Sequence, residues 1–198
     1  RLCMGLLTLT IFSCTVTSGS MDSSRKFAAE ALRKDYSLLR EIMEKNHPSL
    51  YWYTSKDSMD GIFDTYYQLI SDSMTRQQFG FKILAPVTTA VHCGHTSFNY
   101  PPKYNRRIKE YTKPSFPLFM KIWADTMVIT SNLNKKDSIL KRGTLITSIN
   151  GLSAQQLADT LFKFMPADGY SENVNYIRLS AAFPYYHRNI LGLSKQYE

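Results

Sequence analysis

Two imidazoles, a thiol, a glycine and a hydroxyl fall within five residues at His92-Cys93-Gly94-His95-Thr96. Histidine is the side chain whose ordinary titration range lies nearest neutral pH, so the pentad suits proton transfer or metal binding. Gly94, directly before His95, would let the backbone turn tightly enough to present that ring. A structural alternative is a histidine that closes the C-terminal end of the preceding helix, where a cation meets the helix dipole favourably. His92, Cys93 and His95 are also zinc-ligand types, but three residues crowded into four positions fit one tetrahedral centre poorly. No second ligand cluster follows, so neither a metal nor a cofactor is expected. Cys93 as a nucleophile is disfavoured, because the further elements of papain-like enzymes are missing from the sequence. His47, just before Pro48, reads as packed or hydrogen-bonded, and His187 reads as part of an aromatic patch with Tyr185 and Tyr186.

Three helices must position the pentad. Leu32, Tyr36, Leu39 and Met43 recur at helical spacing over residues 27–45, and Asn46-His47-Pro48 stops that helix. A second helix is expected over residues 56–74, capped by Ser55, with Met59, Ile62, Phe63, Tyr66 and Ile70 on one face. Thr75-Arg76-Gln77-Gln78 matches a capping box and opens a third helix that turns Ile83, Leu84, Val87 and Val91 inward. Pro86 lies inside that pattern and should kink it. From Phe116 the period changes to that of strands, over residues 117–123, 127–131 and 143–150, the last ending in the turn signal Asn150-Gly151. Ser153 caps a helix carrying Leu157, Leu161, Phe162 and Met165, Asp168-Gly169 starts a loop, and residues 172–183 form a last helix. The fold class expected is α+β.

The 198 residues, 43% hydrophobic and 13% aromatic, describe a globular chain with enough sequence for a substantial core. Formal net charge is +8. The densest basic stretch, Lys103, Arg106, Arg107, Lys109 and Lys113 with Tyr104 and Tyr111, has no nucleic-acid-binding motif beside it and reads as a solvated loop. No nucleic-acid partner is expected. Arg1 precedes an apolar run over residues 2–12, too short to cross a bilayer but right for a secretory signal. Ile11-Phe12-Ser13-Cys14 resembles a bacterial lipobox, which makes Cys14 the candidate lipid-attachment site; cleavage near residues 18–20 and a buried N-terminal strand are the alternatives. Residues 15–24 are Ser/Thr-rich and read as a tether. Once residues 1–14 are accounted for, Cys93 is the remaining thiol, so no disulfide framework is expected.

These pieces, in this order, resemble the N-terminal half of the S41 peptidases, which include the tail-specific (C-terminal-processing) proteases and the tricorn protease. Asp35-Tyr36, Leu39, His47-Pro48 and Tyr51 are similar to a signature of the family's opening helices, and Gly94-His95-Thr96 to its Gly-His-Thr/Ser element. Arg142-Gly143-Thr144-Leu145-Ile146 with Ser148-Ile149-Asn150-Gly151 looks like the core of a PDZ-like module. The resemblance implies a signal and tether over 1–20, a helical domain with a three-helix bundle over 21–100, a PDZ-like module over 101–167 and entry to a protease core over 168–198. It also implies that His95 is the general base for a downstream Ser, since a serine hydroxyl needs an adjacent base to become nucleophilic. Other S41 branches use a Ser–Lys dyad, in which His95 would not be catalytic. The PDZ-like unit would capture peptide or unfolded-protein substrate by strand addition, or serve as a spacer. Localisation would be the bacterial periplasm or outer membrane, with a lipid anchor as the membrane contact. Cys93 stands where many members have Asp, and Gly94 where the tricorn branch has Ser. Neither the family's Asp-x-Arg-x-Asn-x-Gly-Gly element nor its nucleophilic Ser occurs here, so the chain alone is expected to lack activity. A non-enzymatic peptide- or protein-binding relative is the alternative.

Overall fold

Ala29, Leu32, Tyr36 and Met43, three, four and seven residues apart, return to one face, and all are buried along helix α1, Ala29–Asn46. The computed structural model describes residues 22, 24–102 and 115–198. Cys14, the apolar N-terminal run and the basic stretch from Lys103 to Lys113 lie outside the described residues. Ala28 offers α1 no side-chain cap, and the Asp72 carboxylate accepts the Ala29 N–H at 2.9 Å instead. That reach is possible because strand β1, Lys26–Phe27, pairs antiparallel with β2, Met74–Thr75, in the register Phe27↔Met74.

Helix α2, Lys56–Gln68, starts at Ser55, whose side chain accepts the Ser58 N–H as the sequence suggests. It ends earlier than the expected residue 74. Residues after Leu69 turn through Ser73, at φ 66, to bring β2 into register with β1. Arg40 ties α1 to α2 through Asp64 at 2.7 Å and Asp60 at 3.1 Å, and pairs within α1 with Glu44 at 2.7 Å. The buried Tyr36 hydroxyl donates to the Phe63 carbonyl at 2.9 Å.

The capping box at Thr75 and Gln78 forms as expected and opens α3, Arg76–Phe79. A π-helical segment, Gly80–Leu84, then leads into α4, Ala85–Thr89. The wider turn directs the Ala85 N–H to the Gly80 carbonyl just before Pro86, which has no N–H to give. Phe98 folds back over Gly80 so closely that a Cβ there would lie 2.2 Å from its ring. Met59, Phe63, Ile83, Val87 and Val91 complete the first core.

The second core is built on a three-stranded antiparallel sheet in the order β3-β4-β5. Strands β3, Leu118–Trp123, and β4, Thr126–Asn132, form a hairpin that turns through Ala124 at φ 45. The expected long strand over 143–150 is divided. Strand β5, Leu145–Ile146, pairs with β4, whereas β6, Ser148–Ile149, pairs with β7, Leu152–Ser153, around Asn150 and Gly151 at φ 49 and 80. Both turn residues lie in the left-handed region, as a tight Asn-Gly hairpin requires. Ser153 and Gln156 form a capping box for α5, Ala154–Phe162, which buries Leu157 and Leu161 against the sheet. Helix α6, Asn173–Tyr186, lies along β3, and the Ser180 hydroxyl both accepts the Ile122 N–H at 2.9 Å and donates to its carbonyl at 3.2 Å. Leu179 and Phe183 add α6 to the same core. The fold is therefore α+β. Among the described residues no helix is long and apolar enough to cross a membrane.

His187 opens a second π-helical segment, His187–Leu191, and is 3% exposed between Phe116, Phe183 and Tyr197, with the Phe116 ring centroid at 4.3 Å. Burial holds its imidazole down to about 4, from an ordinary value of 6.5. The unfolded chain takes up this proton first, so the stabilising contribution is full above pH 6.5 and is lost as pH falls through about 4. The loss amounts to on the order of 3 kcal/mol at 1.36 kcal/mol per unit. We predict that His187→Phe flattens this part of the acid-unfolding profile, measured by urea melts at pH 7 and about pH 4. An unchanged pH slope in the variant would show that another group carries it.

Candidate functional site

Helix α4 ends at Thr89, and the chain then leaves helical geometry at His92, whose φ is 54. The left-handed region is uncommon for a non-glycine residue, so the surroundings must hold His92 there. Its carbonyl accepts the Gly169 N–H at 2.8 Å, while its Nδ1–H donates to the Gly169 carbonyl at 3.0 Å. The acceptor on Gly169 places the ring proton on Nδ1. Thr96 N–H donates to the Cys93 carbonyl at 2.9 Å, closing a turn over residues 93–96. Gly94 N–H donates to Asp168 Oδ1 at 2.6 Å. A Cβ on Gly94 would sit 2.9 Å from Asp168 Oδ2, so position 94 needs glycine for close approach of the carboxylate.

Behind the turn, His47 Nε2 lies 2.6 Å from Thr96 Oγ1, and Ser49 N–H donates to His47 Nδ1 at 3.3 Å. With Nδ1 accepting, Nε2–H is the donor to Thr96. The helix stop at His47-Pro48 thus braces the pentad, which agrees with its reading as a hydrogen-bonded histidine. Tyr53 and Tyr170 stand edge to face at 5.7 Å, and each is about 6 Å from the His92 ring. Gly169, at φ 55, leaves no room for a side chain beside the Tyr53 ring, 3.0 Å from where a Cβ would lie.

The sequence treats the pentad as a unit, and the structure divides it. His92 is committed to Gly169, Cys93 is half-buried against the first core, and His95 is exposed on the turn. Asp168, expected only to start a loop, arrives beside them. Cys93, His95 and Asp168 each offer a ligand-type atom, all within 4.8 Å of one another. No spacing rule connects residue 168 to residues 74 positions earlier, so the sequence carries no local signal for that partner. Next to this cluster a cavity of about 410 Å³ opens between the two cores, walled by Ile62, Tyr66, Phe162 and Met165 and reaching His92 and Gly169. Asn175 is 2% exposed and also lines it; its Nδ2 donates to the Met165 carbonyl at 2.8 Å, while its Oδ1 has no partner among the described residues.

Protein-family models, curated proteins and solved structures contain no match to this chain.

The contact between Gly94 and Asp168 generates a prediction. Gly94→Ala must push the exposed carboxylate aside and weaken its bond to the Gly94 N–H, costing about 0.5–1.5 kcal/mol. In an Asp168→Ala background the same change should cost far less, giving a coupling of about 0.5–1.5 kcal/mol in a double-mutant cycle of denaturant melts. Additive losses would show that the carboxylate does not hold the turn.

Proposed function

We propose that this chain is the N-terminal region of an exported S41-type serine peptidase. It contributes His95 as general base, and the nucleophilic Ser belongs to a segment outside these 198 residues. The observation that carries the reading is the presentation of His95. Its ring is exposed, on a turn whose backbone is fixed by Asp168 at Gly94 and by Gly169 at His92. A base held this way can receive a serine hydroxyl from another segment, take its proton as Oγ attacks a peptide carbonyl, and return it to the leaving amine. The bond from His47 to Thr96 adds support, since it joins two separate motifs on which the resemblance rests.

In the same reading, α1, α2 and the α3–α4 helix form the family's three-helix bundle, and β3–β5 with α5 form the PDZ-like module. Peptide capture by strand addition cannot use β3 at Ile122, whose N–H and carbonyl are both engaged by Ser180. The edge left for it is β5, where Leu145 is 66% exposed. Export and a lipid anchor on Cys14 would put this peptidase in the bacterial envelope.

A second reading, a peptide- or protein-binding module without catalysis, is favoured by the cavity between the cores and the unpartnered acceptor on Asn175. Active-site labelling separates the two. The 198-residue chain should neither react with a fluorophosphonate probe nor cleave casein, whereas the product of an extended reading frame should do both. In that product His95→Ala should lower turnover by about 10²–10⁴ with an unchanged melting temperature. Retained turnover would assign the base to a Ser–Lys dyad, and an extended product without labelling would leave the binding module.

A further inference from the structure

We propose that Cys93, His95 and Asp168 form a three-ligand site for a zinc-class divalent cation. On sequence alone the ligand types are His92, Cys93 and His95, which crowd one another on adjacent positions. In the fold His92, whose Nδ1–H donates to the Gly169 carbonyl, is not part of the cluster, and a carboxylate approaches from a different segment. Sulfur, nitrogen and oxygen donors now converge from two chain segments, with all three ligand atoms within 4.8 Å of one another. Around a tetrahedral zinc, with bonds of about 2.0–2.3 Å, such atoms stand about 3.3–3.7 Å apart. Binding would therefore draw the three side chains together by about 1 Å.

The backbone is already fixed in the way ligand-bearing loops require. The two His92–Gly169 bonds and the bond from Gly94 N–H to Asp168 Oδ1 hold both segments in register. The last of these also orients the carboxylate, leaving Oδ2 for a metal, as outer hydrogen bonds do for metal ligands generally. A thiolate with an imidazole and one carboxylate selects zinc over magnesium or calcium, which prefer all-oxygen shells. Cys93 binds as the thiolate and releases its proton to solvent. His95 and Asp168 are exposed, so the fourth coordination position faces solvent, which is the pattern of an open zinc site. The site stands independently of the peptidase reading. A metal on His95 occupies a lone pair that base catalysis would use, so the two roles exclude each other at any one moment.

Zinc added to the reduced 198-residue chain in competition with a chromophoric chelator should bind one to one. Cobalt in its place should give the sulfur-to-cobalt charge-transfer absorption of a thiolate-bound, four-coordinate ion. Cys93→Ser should remove that absorption although Cys3 and Cys14 remain. His95→Gln and Asp168→Asn should each weaken zinc binding by more than the roughly 10–100-fold that outer-shell changes cost. Thermal melts followed by circular dichroism establish that each variant is folded. Absence of saturable binding to the parent chain, zinc affinity unchanged in His95→Gln or Asp168→Asn, or a cobalt absorption that survives Cys93→Ser would each overturn the proposal. Zinc binding by this chain requires no peptidase activity, so failure of the S41 reading leaves the result interpretable.

Discussion

The reciprocal pairing of His92 with Gly169 is the constraint on which the rest of the molecule depends. One core gathers residues from Ala29 to Val91, and the other gathers residues from Phe116 to Phe183. Each can be built from its own helices and strands. Their relative placement is set where His92 and Gly169 exchange backbone and ring hydrogen bonds and Gly94 reaches the Asp168 carboxylate. Both paired residues sit at positive φ. For His92 that geometry costs about 1–2 kcal/mol, offset by the two bonds it allows. The aromatic contacts of Phe81 with Tyr185 and of Tyr53 with Tyr170, and the bond from Gln77 to Asn189, extend the junction on either side.

The π-helical segment determines where that junction falls. A π turn inserts a residue into the helical repeat and so rotates everything after it by about 100°. Ile83, Val87 and Val91 all remain buried across the insertion, and the chain leaves the helix with His92 facing the 168–170 loop. Pro86 would clash with the carbonyl four residues back in a regular helix, and the looser turn relieves it. Gly80 permits Phe98 to close over the same segment, which returns the chain after the pentad to the helix it came from. The position of the pentad thus follows from a glycine, a proline and one extra residue per turn, all upstream of it.

Features that depend on neighbours in the chain were legible in the sequence. Ser55, the Thr75–Gln78 box, the Ser153–Gln156 box and the Asn150-Gly151 turn are local hydrogen-bonding or dihedral devices, and each forms where its residues occur. The features that were not legible are long-range. Asp72 caps α1 across 43 residues, Ser180 covers β3 across 58, and Asp168 reaches Gly94 across 74. Helix α2 stops early and the 143–150 strand divides because β1 and β4 compete for the backbone there, a tertiary effect that periodicity does not carry. At the site, the pentad was legible from its density of imidazole and thiol side chains, whereas Asp168 looked like any turn residue.

The four histidines differ in what holds their rings. His47 has both ring nitrogens engaged, accepting from Ser49 and donating to Thr96, so its ring holds the turn. His92 spends its Nδ1 proton on Gly169 and holds the junction. His187 is buried among aromatic rings, and protonating it costs folding free energy, which keeps it neutral. His95 is the exposed ring of the four, positioned by bonds made on either side of it rather than through it. The other rings provide rigidity, and this one is left presented to solvent beside a thiol and a carboxylate. Base catalysis and metal ligation can each use a histidine presented in this way, which is why both proposals converge on the same side chain.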